Sequence, residues 1–404
     1  MNNELSKLQI SRGYFIFLLA SLSMLTAVTI DVYLPSFASM AADFETDIAS
    51  IQQTLTIYLS AMAIMTLFHG TLSDSFGRRP VILTALSIYT LASLAAAFAD
   101  SLLLLLLCRF VQGLSAGAGM VVGRAMIRDV FAGAKATQTL SYVTVIFGVG
   151  PVFAPIIGGW LEFYFGWQST FLFMAAFGIF LLITCGLHLP ESLPRQERSP
   201  LHPGNTLRDY LKALKNRRLI MRSLAVSLTS GLTYIYVSAA PAFVMQILGL
   251  PETSFAWLFV PLVLGMMSGA FLSGQIAALL SPSRILGFGF AVITITSLWN
   301  ILYSAFYPPS VPWSILPLAL QSFGTSFVIP VMTLHALDAL PERRGMASSL
   351  QAALSLSCFT LCSGLLVPLI FHSALLLALA AAACSFLSIV IAIFDLRKCE
   401  ERIS

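Results

Sequence analysis

Apolar residues fill this chain in long stretches broken by short polar turns, with no two-residue alternation to suggest a sheet. A helix needs about 20 consecutive apolar residues to cross the roughly 30 Å hydrocarbon layer of a bilayer. By that measure the pattern predicts twelve spans, at about 13–40, 50–70, 80–99, 102–123, 137–160, 168–189, 219–247, 254–279, 284–306, 312–336, 346–370 and 373–395. The expected fold class is an all-α membrane protein. The first run follows Lys7 and Arg12, but it outlasts the 7–15 residues of a secretory h-region and more spans follow, so it reads as an uncleaved helix.

The only long polar stretch, about 190–218, is rich in Pro, Arg, Lys and Ser. It predicts a six-helix bundle over 1–190, a cytoplasmic linker over 191–218 and a second six-helix bundle over 219–404. The halves echo each other. Gly70 ends the second span ahead of Arg78 and Arg79, and Gly274 ends the eighth ahead of Arg284. Repeated halves around a midplane site organise many secondary transporters.

Composition narrows the class. Of 404 residues 58% are hydrophobic and 10% charged, against about 25% charged in a soluble domain, which excludes a soluble fold. With an even number of spans, 21 of the 22 basic residues fall in loops on one side, from Lys7 and Arg12 to Arg397, Lys398 and Arg402. The opposite loops hold Asp43, Glu45, Asp47, Asp100, Glu162 and Glu252 and no base. Cytoplasmic loops carry the Lys/Arg excess, so both termini are expected in the cytoplasm of a cell inner membrane. The net charge of +4 is spread along the chain, which argues against nucleic acid; the expected partners are the lipid bilayer and small molecules, with the protein a monomer. The six cysteines form no CxxC and no paired spacing in polar loops, which excludes a disulfide scaffold and a zinc site.

Two charges lie where none is expected. Arg109, the remaining basic residue, falls inside the fourth span, and its acidic counterpart by depth is Asp31 in the first. A charge at mid-bilayer costs several kcal/mol, so such residues face the bundle interior and usually pair. The plain reading is a fixed buried ion pair. The functional reading has Asp31 exchange a proton or meet a cationic substrate while Arg109 tunes it. Gln112 shares a helix face with Arg109, and Gly113, Gly117, Gly119 and Gly123 form two G-x-x-x-G steps suited to close packing. Pro35, four residues after Asp31, should bend the first helix beside its acid.

Several stretches resemble the major facilitator superfamily. Gly70-Thr-Leu-Ser-Asp74-Ser-Phe-Gly77-Arg78-Arg79-Pro80 matches its signature between the second and third helices, with Arg79 where lysine is frequent. Arg109-Phe-Val-Gln112-Gly113 resembles its fourth-helix motif. Gly148-Val-Gly150-Pro151-Val-Phe-Ala-Pro155-Ile-Ile-Gly158-Gly159 looks like its fifth-helix motif, which is associated with proton-coupled exporters. Asp31-Val-Tyr33-Leu34-Pro35 and Arg124-Ala-Met-Ile-Arg128-Asp129 are similar to the bicyclomycin and chloramphenicol resistance branch of drug:proton antiporters. The resemblance implies twelve transmembrane helices in two pseudo-symmetric six-helix bundles. It also implies that the Gly70–Arg79 loop and the fifth-helix motif serve gating rather than substrate contact.

Each motif also has a reading of its own. Gly70 and Gly77 permit close packing and a tight turn. Asp74 can cap a helix N-terminus or pair with neighbouring arginines. The prolines and glycines of the fifth span allow bending and tight helix contact, and a merely kinked packing helix would look the same.

Aromatic residues within spans are candidate substrate contacts: Tyr33, Tyr58 and Tyr234, with Gln112. His69 and His335 are expected in helix-end hydrogen bonds, and Asp338 in a solvated loop. No G-x-x-x-x-G-K-[ST], G-x-S-x-G or H-E-x-x-H occurs, so the chain is expected to be neither a nucleotide-driven pump nor an enzyme. The expected function is proton-coupled efflux of lipophilic neutral or cationic, drug-like compounds, with Asp31 and Arg109 coupling the proton and no cofactor beyond it. A proton-coupled metabolite importer shares the fold and the loop signature, and a non-transporting receptor or scaffold is the alternative from another class.

Overall fold

A computed structural model describes residues 10–200, 203–277 and 279–400, so Lys7 and Arg402 of the charge pattern lie outside the described residues. Among the described residues the chain is helical, with no strand. It divides into two compact units, Met1–Thr206 and Leu207–Ser404.

The first unit contains α1 (Arg12–Asp31), α2 (Phe37–Asp43), α3 (Ile48–Phe76), α4 (Arg78–Ala97), α5 (Leu102–Ala116), α6 (Ala118–Val130), α7 (Gly133–Phe147), α8 (Gly150–Phe165) and α9 (Gln168–His188). The unit boundary falls within α10 (Pro203–Leu214). The second unit continues with α11 (Arg217–Thr229), α12 (Gly231–Ser238), α13 (Ala256–Ile276), α14 (Pro282–Phe306), α15 (Leu316–Leu337), α16 (Arg344–Leu361), α17 (Val367–Ile370) and α18 (Ala374–Glu400). Single-turn interruptions explain why short helices share one span. A tight turn at Leu34–Ser36 joins α1 to α2, and a π-helical turn at Cys362–Leu366 joins α16 to α17.

Eleven helices among the described residues have the length and apolarity to cross a membrane. The expected seventh span, 219–247, is the exception. It is built of α11, α12 and a π-helical turn at Ala242–Ile247, with breaks at Ser230 and before Pro241. Proline lacks the N–H that would continue the helical ladder and crowds the preceding turn. Gly231, at the first break, lies so close to α18 that an added Cβ would meet the Cys384 side chain.

Close helix contact in the first unit rests on glycine. A Cβ at Gly113 would run into the backbone carbonyl of Tyr58, and one at Gly119 would come within 2.7 Å of the Leu22 carbonyl oxygen. These contacts let α5 lie against α3 and α6 against α1. Gly70 behaves otherwise: a Cβ there would meet nothing within 4 Å, so the close packing expected of it is absent.

The predicted linker is structured at both ends. Residues 191–199 are bonded onto the turn between α3 and α4, as described below, and α10 follows.

Candidate functional site

The site begins where α1 stops. Val32 N–H closes the last turn on the Val28 carbonyl at 3.0 Å, and Pro35 then prevents the helix from continuing. The chain turns through Leu34–Ser36, leaving Asp31 as the last residue of α1 and Tyr33 as the hinge. α8 packs directly on this break. A Cβ on Gly158 would overlap the Val32 carbonyl, and one on Gly150 would lie 2.8 Å from Met24. Gly148 and Val149 separate α7 from α8, Pro151 stands in the first turn of α8, Pro155 lies inside it, and Gly159 is buried beside Gly158. The fifth-helix motif therefore shapes the place where α1 breaks after its acid.

Arg109 on α5 is wholly buried. Its guanidinium lies 4.2 Å from the ring centre of Tyr33, 4.5 Å from that of Tyr58 and 6.0 Å from that of Phe171. Aromatic faces carry negative potential and stabilise a desolvated cation. Nη1 donates to Gln112 Oε1 at 2.9 Å, and both terminal nitrogens reach the Thr29 carbonyl at 3.4 Å. That carbonyl belongs to the last turn of α1, where backbone oxygens lack helical partners and the helix dipole favours a cation. Nε has no hydrogen-bond partner.

A second layer holds these groups in place. Gln112 Nε2 donates to Ser93 Oγ at 2.7 Å and approaches Met174 Sδ at 3.8 Å, which ties α5 to α4 and α9. The Thr29 and Tyr89 hydroxyls meet at 2.6 Å, and Tyr33 and Thr54 at 3.3 Å.

Asp31 is buried and, among the described residues, makes no ion pair within 4.0 Å. The pairing of Asp31 with Arg109 expected from their depth is therefore absent from this structure. The guanidinium is turned into the aromatic cage and onto the Thr29 carbonyl rather than onto the Asp31 carboxyl group. The structure brings Arg109, Gln112, Tyr33 and Tyr58 together. Tyr234 belongs to α12 of the second unit, where it is half-buried with its ring stacked on Phe359 at 4.7 Å.

The Gly70–Arg79 loop forms a separate cluster at the α3–α4 turn. Gly77 ends α3 and starts α4 with φ of 101°, a left-handed conformation that glycine adopts without penalty. Asp74 pairs with Arg78, whose Nε bonds Asp129 at 3.0 Å and whose Nη1 donates to Ser73 Oγ at 2.6 Å. The carboxylate that caps α4 is Glu191, not Asp74: it accepts from Arg78 N–H at 3.0 Å and Arg79 N–H at 3.3 Å, and pairs with Arg198 at 3.4 Å. Arg79 also donates to the Gly186 carbonyl, Ser192 to Asp129, and Ser199 N–H to the Asp74 carbonyl. The strap 191–199 thus clasps the signature loop within the first unit.

His69 is buried with its Nδ1 unpartnered, while its ring bonds the Leu114 backbone near the end of α5, the helix-end contact expected of it. His335 contributes its carbonyl, which accepts from Arg222 at 2.6 Å, and Asp338 pairs with Arg344 at an exposed turn. Sequence reasoning did not single out Thr29, Tyr89, Phe171 or Glu191. The available signals were polar or aromatic residues at helical spacing inside apolar spans, and an acid just after a span end.

The residues 16–361 match the family described as Major Facilitator Superfamily. A bicyclomycin resistance protein homolog of Haemophilus influenzae is 27% identical over 393 residues, 95% of this chain and 96% of that one. An uncharacterized MFS-type transporter of Bacillus subtilis, YdgK, is 29% identical over 84% of this chain and 85% of its own. The multidrug resistance protein MdtL of Escherichia coli is 29% identical over 81% and 82%. Among solved structures, a bacterial homolog of the human lysosomal transporter Spinster superposes with a TM-score of 0.68 at 16% identity, over 96% of this chain and 97% of that one. A human organic anion transporter gives a TM-score of 0.66 at 18%, over 95% and 98%. These two likenesses concern the fold.

Proposed function

Because the chain belongs to the major facilitator superfamily and is a multi-pass membrane transporter of it, we propose that it exports lipophilic neutral or cationic compounds in exchange for protons, by alternating access. The observation that carries this reading is Asp31: a carboxylate buried at a helix break, with no ion pair among the described residues. Such a group takes up and releases a proton without first breaking a salt bridge, and a charge enclosed in a transport bundle marks an ion pathway. Drug resistance relatives supply the substrate class, and the glycine and proline motif against α1 supports export.

In this cycle Asp31 is protonated when open to the outside. It releases the proton to the cytoplasm as substrate binds, and the change of access expels the substrate. Proton and substrate compete for one form of the carrier, which couples the two fluxes. Arg109, held in its aromatic cage and on the Thr29 carbonyl, acts with Asp31 in coupling the proton. Tyr33, Tyr58 and Gln112 are the candidate substrate contacts of the first unit, and Tyr234 is that of the second. The Gly70–Arg79 loop with its Glu191 clasp, and the Gly148–Gly159 segment, act in gating. Both termini lie in the cytoplasm, the side where the Lys/Arg excess collects, and the protein works as a monomer with the proton as its only coupling ion.

The test is proton release from detergent-solubilised protein when chloramphenicol or a lipophilic cation is added, with wild type and Asp31→Asn compared. Release by wild type that vanishes in the variant is expected. Binding without release in wild type, or uphill export by Asp31→Asn with unchanged pH dependence, overturns the assignment.

A further inference from the structure

The transport reading leaves α10 without a task. Its twelve residues, Pro203–Leu214, make a helix about 18 Å long at 1.5 Å per residue. Tyr210 and Ala213 are buried on one face, and Asp209 is held to Arg343 at 2.8 Å. The opposite face carries Arg208, Leu211 and Lys212, and Lys215 follows in the same register, at i, i+3, i+4 and i+7. Leu211 is 53% exposed and Leu214 44%.

Two residues beyond α10, Asn216 caps α11 by accepting from Leu219 N–H at 3.2 Å, and α11 opens with Arg217 and Arg218 before running into the seventh span. With 219–247 as the seventh span, the C-terminal end of α10 falls at the expected membrane boundary. Among the described residues, Arg208, Lys212, Lys215, Arg217 and Arg218 have no ion-pair partner, and the one acid of α10 is already engaged by Arg343. Bare leucines flanked by unpaired cations at a bilayer edge are the makings of a helix that lies in the interface, with apolar side chains sunk to the headgroup boundary and cations among anionic headgroups.

We propose that α10 is an anionic-lipid binding element. Leu211 and Leu214 enter the bilayer surface, and Lys212, Lys215, Arg217 and Arg218 hold phospholipid headgroups of negative charge. The inference is independent of the substrate and of Asp31, so it stands or falls separately from the transport reading.

The experiment places photoreactive benzoylphenylalanine at position 211 of the full chain, reconstituted in vesicles of equal phosphatidylglycerol and phosphatidylcholine. Adducts are identified by mass. Intact phospholipid adducts are expected, with phosphatidylglycerol favoured at least about fivefold, the preference one lipid-facing cation supports. In the background Lys212→Glu with Lys215→Glu that preference should fall towards one while lipid adducts persist. No lipid adduct, adducts only to protein, or no headgroup preference in the unaltered background overturns the proposal. Native mass spectrometry provides a second measurement that needs no photoreactive residue. Phosphatidylglycerol molecules retained by the wild-type chain should outnumber those retained by Lys212→Glu/Lys215→Glu, and equal retention overturns the proposal.

Discussion

Among the described residues, the first unit encloses Arg109 and Asp31 within its membrane-spanning helices, whereas the interior of the second is held mainly by neutral polar pairs. In the second unit Asn300 donates to the Tyr236 hydroxyl at 3.0 Å and Gln321 to Ser385 at 3.1 Å. The Thr229 and Ser388 hydroxyls meet at 2.7 Å, and the buried charge pair, Arg222 with Asp395 at 2.7 Å, sits near one end of the bundle, where Arg222 also holds the His335 carbonyl. Neutral pairs between helices are modest glue in a membrane, about 1 kcal/mol each or less. Enclosed charge is costly, and the first unit offsets part of that cost with aromatic faces and a helix-end carbonyl. The interior of one bundle is tied by neutral pairs, and that of the other holds charged side chains whose removal the proposed function makes costly.

That contrast is testable. The largest effect is expected at Arg109: Arg109→Leu should lower uphill substrate transport in vesicles at least a hundredfold, about 2.7 kcal/mol of barrier. Gln321→Leu, the neutral counterpart in the second unit, should stay within about tenfold of wild type. Equal losses would mean that the two cores serve the cycle alike.

Glycines in the two motifs of the first unit should separate next. Gly158→Ala forces a Cβ onto the Val32 backbone and should cost about 1–3 kcal/mol, read as a lower thermal midpoint in detergent. Gly70→Ala meets open space and should shift stability by less than about 0.5 kcal/mol. A tolerant position 158 would show that α8 does not press on the break in α1.

In the second unit, Arg222→Ala strands a largely buried Asp395 and should cost about 1–3 kcal/mol. Arg344→Ala breaks an exposed pair with Asp338 and should cost under about 1 kcal/mol.

The smallest effect belongs to Asp47, whose carboxylate accepts from Ser50 N–H at 2.7 Å at the start of α3. Bonding to Ser50 holds this carboxyl below its ordinary range. A depressed folded-state value adds stability above the unfolded one and loses it as pH falls through the folded one. The small midpoint advantage of wild type over Asp47→Ala should therefore be present at pH 7 and fade on acidification; an advantage that persists in acid would assign it to shape rather than charge.

Much of the fold was legible because the signals are local and strong. An apolar run of sufficient length has one stable form in lipid, a helix, since every backbone polar group must be satisfied within the segment. Pro35 announced the break after Asp31 for the same local reason. The seventh span is helical along most of its expected length, but a hydropathy run does not distinguish one long helix from three short segments. Pro241 marks the second of its breaks, and at the first Gly231 lies where an added Cβ would meet Cys384. Gly70 and Gly158 are alike as letters in motifs, yet only one has a neighbour at Cβ distance.

Sequence by itself determined that this is a helical membrane protein, that it has two halves, and that Asp31 and Arg109 are buried charges demanding an account. It did so because transfer of charge and backbone into hydrocarbon is costly wherever it occurs. Tertiary structure decided what surrounds those charges. Thr29, Tyr58 and Phe171 come from three other helices and Tyr33 from the turn after α1, and Glu191 reaches the start of α4 from beyond α9. A side chain's partner is a matter of helix packing, and packing is set by the whole set of contacts at once, so no local pattern carries it.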